Sequence, residues 1–131
     1  MGAWCEAMDD MEIMGAPERV AGLVAESAGG GNVSLRWSPP AGRVPHTRFF
    51  VVCLREGTSG RERLVATRFL PARQRVHVEA GLAPGRYRFE VGALGPTGSG
   101  RRERVVVKVD RTGAVHVVDR EGAPGLVGRS E

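Results

Sequence analysis

The side chains able to do nucleophilic, acid–base or metal chemistry are few and scattered. Three histidines, His46, His77 and His116, fall in three separate segments. None has a cysteine, aspartate or second histidine at the short spacing that places metal donors together. Cys5 and Cys53 lie far apart and form neither a disulfide framework nor a zinc pattern. A serine nucleophile on a strained turn would show as Gly-x-Ser-x-Gly, and that pattern does not occur. The run GPTGSG from Gly95 to Gly100 has the glycines of a phosphate cradle, but no Lys-Ser/Thr pair and no helix follow it. These read as hairpin glycines. Asp9 and Asp10 are adjacent in a terminal segment, where nothing holds them at a fixed distance for proton transfer. The histidines read as solvated side chains. No catalysis, cofactor, metal or small-molecule substrate is expected.

The chain must then be read through the elements that carry these residues. Its 131 residues suit one domain with short flanks. Hydrophobic residues make up 41% and charged residues 26%, enough for a packed core under an ordinary surface. The net charge of +4 is a mild field. Lys108 is the sole lysine, so the arginines reflect a compositional bias more than selection for binding. No segment is long and apolar enough for a membrane span. The acidic first residues do not resemble a signal peptide. With two thiols expected to be unpaired, the chain reads as cytoplasmic, either whole or as a piece of a larger multidomain protein.

Residues 1–16 form an acidic, methionine-rich segment in which Trp4, Met8 and Met11 recur at helical spacing. It reads as a terminal tail or as a short amphipathic segment that docks. From Pro17 onward the pattern changes to short β-runs separated by turn residues. Candidate strands are Arg19 to Glu26, Asn32 to Ser38, Thr47 to Arg55, Glu62 to Phe69, Arg75 to Glu79, Arg86 to Leu94 and Arg104 to Val109. The turn DRTG, Asp110 to Gly113, offers an eighth strand at Ala114 to Val118. Residues 119–131 are rich in Gly, Pro and charge and read as a disordered tail. Seven or eight short strands without a helical period predict an all-β antiparallel sandwich.

Three stretches sharpen that prediction. VSLRWSPP, Val33 to Pro40, alternates apolar residues up to Trp37 and stops at two prolines. Leu82, Pro84 and Gly85 make a corner before Tyr87, Phe89 and Val91. The small-residue loop Gly95 to Gly100 follows. Together with the proline-led start Pro17-Glu18-Arg19-Val20, these resemble the fibronectin type III domain over about Pro17 to Val109. The resemblance implies an immunoglobulin-like sandwich with Trp37 and Tyr87 in its core. It also implies a role as a link or docking module, with the intracellular giants of the titin and obscurin kind as its cytosolic setting. One departure is that only Arg86 separates the corner glycine from Tyr87. The shorter turn leaves open whether the tyrosine hydroxyl bonds back to the corner backbone. The adhesive tripeptide Arg-Gly-Asp is absent from the loop where some members carry it.

The strand TRFFVVCLR is apolar on both faces. The family pattern implies Phe50, Val52 and Leu54 inward, hence Phe49, Val51 and Cys53 outward with Arg55 at their end. The next strands would add Arg88, Glu90 and Gly92, then Arg102, Arg104, Val106 and Lys108. This predicts an apolar row beside a basic one on the outer face of a three-strand C-F-G unit, suited to a protein partner. The occupant could be the chain's own acidic segment, the same segment of a second copy, or a foreign segment of like character. Strand addition at the Val105 to Val109 edge ranks second. Nucleic-acid binding through Arg88, Arg101, Arg102 and Arg104 is an alternative that lacks neighbouring aromatics for base stacking. An accessory domain of a carbohydrate-active enzyme is a third reading.

Overall fold

The computed structural model describes residues 16–42, 45–96 and 98–120. Eight strands follow in order: β1 (Ala21–Ser27), β2 (Val33–Ser38), β3 (Arg48–Glu56), β4 (Glu62–Pro71), β5 (Val76–Glu79), β6 (Gly85–Leu94), β7 (Glu103–Val109) and β8 (Val115–Arg120). No helix occurs among the described residues. The strands build two antiparallel sheets, β1-β2-β5 and β4-β3-β6-β7-β8. Strands β2, β6 and β7 alternate as their sequences predict. Val33, Leu35 and Trp37 face in, as do Tyr87, Phe89 and Val91, and Val105, Val107 and Val109. The Trp37 indole meets the Phe49 ring edge-on, with centroids 5.5 Å apart, a preferred aromatic geometry.

One inward polar group has a specific task. β1 carries a register irregularity between Ala21 and Val24, with Gly22 at φ 63° inside it. An L-residue with a side chain rarely takes that conformation. Within this irregularity the Leu23 amide donates to the buried Glu103 carboxylate at 2.8 Å. An acid inside the sandwich thus satisfies a buried donor and joins β1 to β7.

The corner before β6 closes despite its shorter turn. Tyr87 Oη donates to the Ala83 carbonyl at 2.7 Å. The Arg55 guanidinium sits 5.7 Å from the centre of the same ring and donates to the Pro84 carbonyl at 2.8 Å. Arg55 is thus a clamp on the corner and not part of an open outer face, which corrects its expected place.

The eighth strand forms. Asp110 caps its turn by accepting from the Thr112 amide, the Thr112 hydroxyl and the Ala114 amide, the side-chain turn that aspartate favours. β8 runs on through Asp119 and Arg120, two residues into the expected tail. The remainder of that tail, and the expected docking segment up to Gly15, lie outside the described residues.

The facing of β3 is opposite to expectation. Phe49, Val51 and Cys53 are essentially fully buried in the core, not outward. Their register partners on β6 are Ala93, Val91 and Phe89, all core residues, and directly opposed residues share a face. Phe50, Val52 and Leu54 therefore point outward. In a strand apolar on both faces, alternation sets the period but not the phase. Here the phase is set by the Phe49 ring against Trp37.

Candidate functional site

On the outer face of the five-stranded sheet, β3 presents Phe50, Val52 and Leu54. These lie opposite Gly92, Glu90 and Arg88 of β6. Beyond them β7 presents Arg104 and Val106. Arg88, Gly92, Arg104 and Val106 thus lie on one face. Phe49, Val51, Cys53 and Arg55 do not join them.

This face is more self-contained than an apolar row beside a basic one. Phe50 is only 5% exposed although it points outward. Its ring occupies the space that a Cβ on Gly92 would need. The Arg102 guanidinium covers the ring at 5.1 Å from its centre. Arg102 in turn donates to Glu90 at 2.7 Å. Glu90 also pairs with Arg88 at 2.9 Å, and Arg88 with Glu62 at 2.5 Å. Glu62, Arg88, Glu90 and Arg102 therefore form an alternating charge ladder that runs from β4 over β3 to β6 and on to the residue before β7. The expected basic row is largely neutralised by acids standing between its arginines.

The exposed apolar surface lies one strand further out. Phe69 and Leu64 are each 58% exposed and Val65 is 41% exposed, all on the edge strand β4. Phe69 pairs with Phe50, and Leu64 with Leu54, so both continue the outer face. The irregularity between Cys53 and Leu54 leaves Val65 without an opposite residue on β3. The Arg48 guanidinium stands 5.8 Å from the centre of the Phe69 ring. The sequence carried a signal that the expectation missed. ERLVATRFLP holds four large apolar residues, Leu64, Val65, Phe69 and Leu70, and of these only Leu70 is buried in the core. Smaller exposed pairs, Val76 with Val78 and Val117 with Val118, lie on β5 and β8.

The chemistry-capable residues are absorbed by packing. His77 lies 3.0 Å from Glu79, and Arg68 grips the same buried carboxylate at 2.8 and 3.3 Å. Burial pushes the Glu79 carboxyl up, but the hydrogen bonds from Arg68 and His77 and their charges prevail and hold it below its ordinary range. Cys53 lies close enough to feel both Glu79 and Arg68. Burial, helped by the Glu79 charge and opposed by Arg68, pushes its thiol up to about 12. A thiol held so high is not a nucleophile at neutral pH. His46 bonds the Ala72 carbonyl at 2.8 Å and packs on Phe49, 4.6 Å between ring centres. His77 and His46 are therefore structural and partly buried, not solvated as expected. His116 is exposed and pairs with Asp110 at 2.9 Å. Among the described residues no three His, Cys, Asp or Glu side chains converge as a metal site.

The architecture is that of a fibronectin type III sandwich, with a tyrosine corner, a core tryptophan and one added edge strand. Solved structures agree on the fold. The chain is similar to the FN5 domain of Drosophila Lar, with TM-score 0.58 and 22% identity over 72% of this chain and 97% of that one. It is similar to the fn3 domain of human collagen alpha-1(XX) chain, with TM-score 0.59 and 18% identity over 72% and 87%. Domains d3–d4 of the rat CD45 extracellular region match with TM-score 0.58 and 15% identity, over 79% of this chain and 50% of that one. No protein-family model matches the sequence, and no curated protein matches it. No helix among the described residues is long and apolar enough to cross a membrane.

Proposed function

We propose that this chain is a non-catalytic protein-interaction or spacer module. It engages its partner through the β4 side of the outer face, at Leu64, Val65 and Phe69, with Arg48 and the Arg102 end of the charge ladder as its polar rim. The observation that carries this reading is the large exposure of Phe69 and Leu64 on a sandwich whose other outward aromatic, Phe50, is fully covered. Leu64, Val65 and Phe69 are each already about half covered, so burying the rest under a partner would contribute roughly 1–1.5 kcal/mol apiece. Arg88, Gly92, Arg104 and Val106 remain on the proposed face, as its flank. The location proposed is cytoplasmic, supported by the buried free thiol of Cys53, and a module of a larger protein fits the same surface.

The nucleic-acid reading has less support, because Arg88 and Arg102 each already face a carboxylate. Salt-dependent binding of a random oligonucleotide would restore it. The main test is affinity capture with the wild-type chain and with Phe69→Asp. The proposal expects a protein bound by the first and lost with the second. Equal capture by both would remove β4 as the docking surface.

A further inference from the structure

We infer that residues 1–15 fold back in cis over the β4 side of the outer face and cover Phe69 and Leu64. The inference rests on reading that face as the partner surface and names its resident occupant. Three observations point to this segment.

The first is where the chain enters. Ala16 lies beside Gly98, and the Pro17 and Glu18 carbonyls crowd Gly100. The preceding residues therefore leave from the loop between β6 and β7. Leu94, at the start of that loop, pairs with Arg48, and Arg48 pairs with Pro71. Phe69, Phe50, Gly92 and Arg102 all cluster at this same end of the sheet. The second is reach. From β7 to β4 is three strand spacings, about 14 Å. A helical stretch of 15 residues is about 22 Å long, and an extended one is longer still. The third is complementarity. Residues 1–15 hold Glu6, Asp9, Asp10 and Glu12 and no basic side chain. Their apolar residues Trp4, Met8 and Met11 share one side at helical spacing. The surface they would meet is apolar and bordered by the Arg48 guanidinium, which rests on the Phe69 ring, whereas Arg102 is already paired with Glu90. Methionine adapts well to such an irregular apolar surface.

The sequence supplies its own probe. Cys53 is fully buried, so a nitroxide reagent marks Cys5 alone in the folded full-length chain. The amide spectrum of the labelled protein should lose the signals of Thr67, Phe69 and Phe50 selectively. Those signals should return in the labelled Met8→Asp/Met11→Asp variant. Weak, even broadening over the whole surface, or broadening centred on another strand, would overturn the inference. Unlabelled, isotope-enriched chain mixed with labelled chain provides a further check. Signal loss in that mixture means that a second copy supplies the segment, and docking in cis is then wrong. The two readings fail separately. If the label sits on β4 but neither the wild type nor the doubly substituted chain captures a protein, the cover stands and the partner reading falls. If Phe69→Asp abolishes capture while the label broadens nothing on β4, the partner reading stands and the cover falls.

Discussion

The tip of the Phe50 ring occupies the space left by the absent side chain of Gly92, its partner across the β3–β6 pair. This is why an aromatic on the outside of the sheet is as buried as a core residue. Glycine weakens a strand interior unless another group fills the vacancy, and here Phe50 fills it under Arg102. Gly92→Ala should therefore destabilise the domain by about 1–3 kcal/mol, read as a lower urea midpoint. Adding Phe50→Ala should recover part of that loss, since the two groups compete for one volume. Strictly additive losses would argue against the competition.

The phase of β3 makes an opposed pair of variants. Phe49→Asp would place an unpaired carboxylate against Trp37 in the core and should abolish cooperative folding. Phe69→Asp acts on a side chain that is 58% exposed and should keep the β spectrum and a melting midpoint near that of the wild type. The reverse pattern in circular dichroism melts would mean that the strand faces the other way.

The Glu79 carboxylate holds the β5 edge to the β4 edge through Arg68. Its pKa is lowered on folding, so its ionised form is the one the fold favours. The stabilisation is complete above the unfolded value of about 4.3 and is lost as pH falls through the lower folded value. Urea midpoints of the wild type should drop on acidification from pH 6 to pH 3. Glu79→Gln should start lower and lose less over the same range. Equal slopes for the two proteins would count against this carboxylate as a source of acid sensitivity.

Cys53 should resist thiol reagents. With its thiol pushed up to about 12 and buried between the sheets, little thiolate exists at pH 8 and none is reachable. In native protein, Cys53 should react only as fast as the fold opens, and at once in denaturant. Peptide mapping after a brief pulse of iodoacetamide tests this. Rapid native modification of Cys53 would place it at the surface.

Glu103 offers a check on the sheet-to-sheet contact at β1. Glu103→Ala leaves the buried Leu23 amide without its acceptor and should cost about 1–3 kcal/mol. Hydrogen exchange at Leu23 should rise with it. Unchanged exchange would show that the amide finds another partner.

The sequence by itself determined the strands and the class of fold. Alternation in VSLRWS and in RYRFEV sets both period and phase, because polar residues mark the outer face of each. Pro39-Pro40 and the Leu82–Gly85 corner place the ends. The tertiary structure decided what alternation cannot express. In FFVVCL both faces are apolar, so only packing against Trp37 and the vacancy at Gly92 selected which side turned inward. The same holds for charge. Glu90, two residues from Arg88, shares its face by alternation alone, but Glu62 lies on another strand and Arg102 beyond a loop, and only the sheet brings these charges together. The exposed Phe69 and Leu64 became visible only when β4 proved to be an edge strand, since a strand's sequence does not say how many neighbours will cover it.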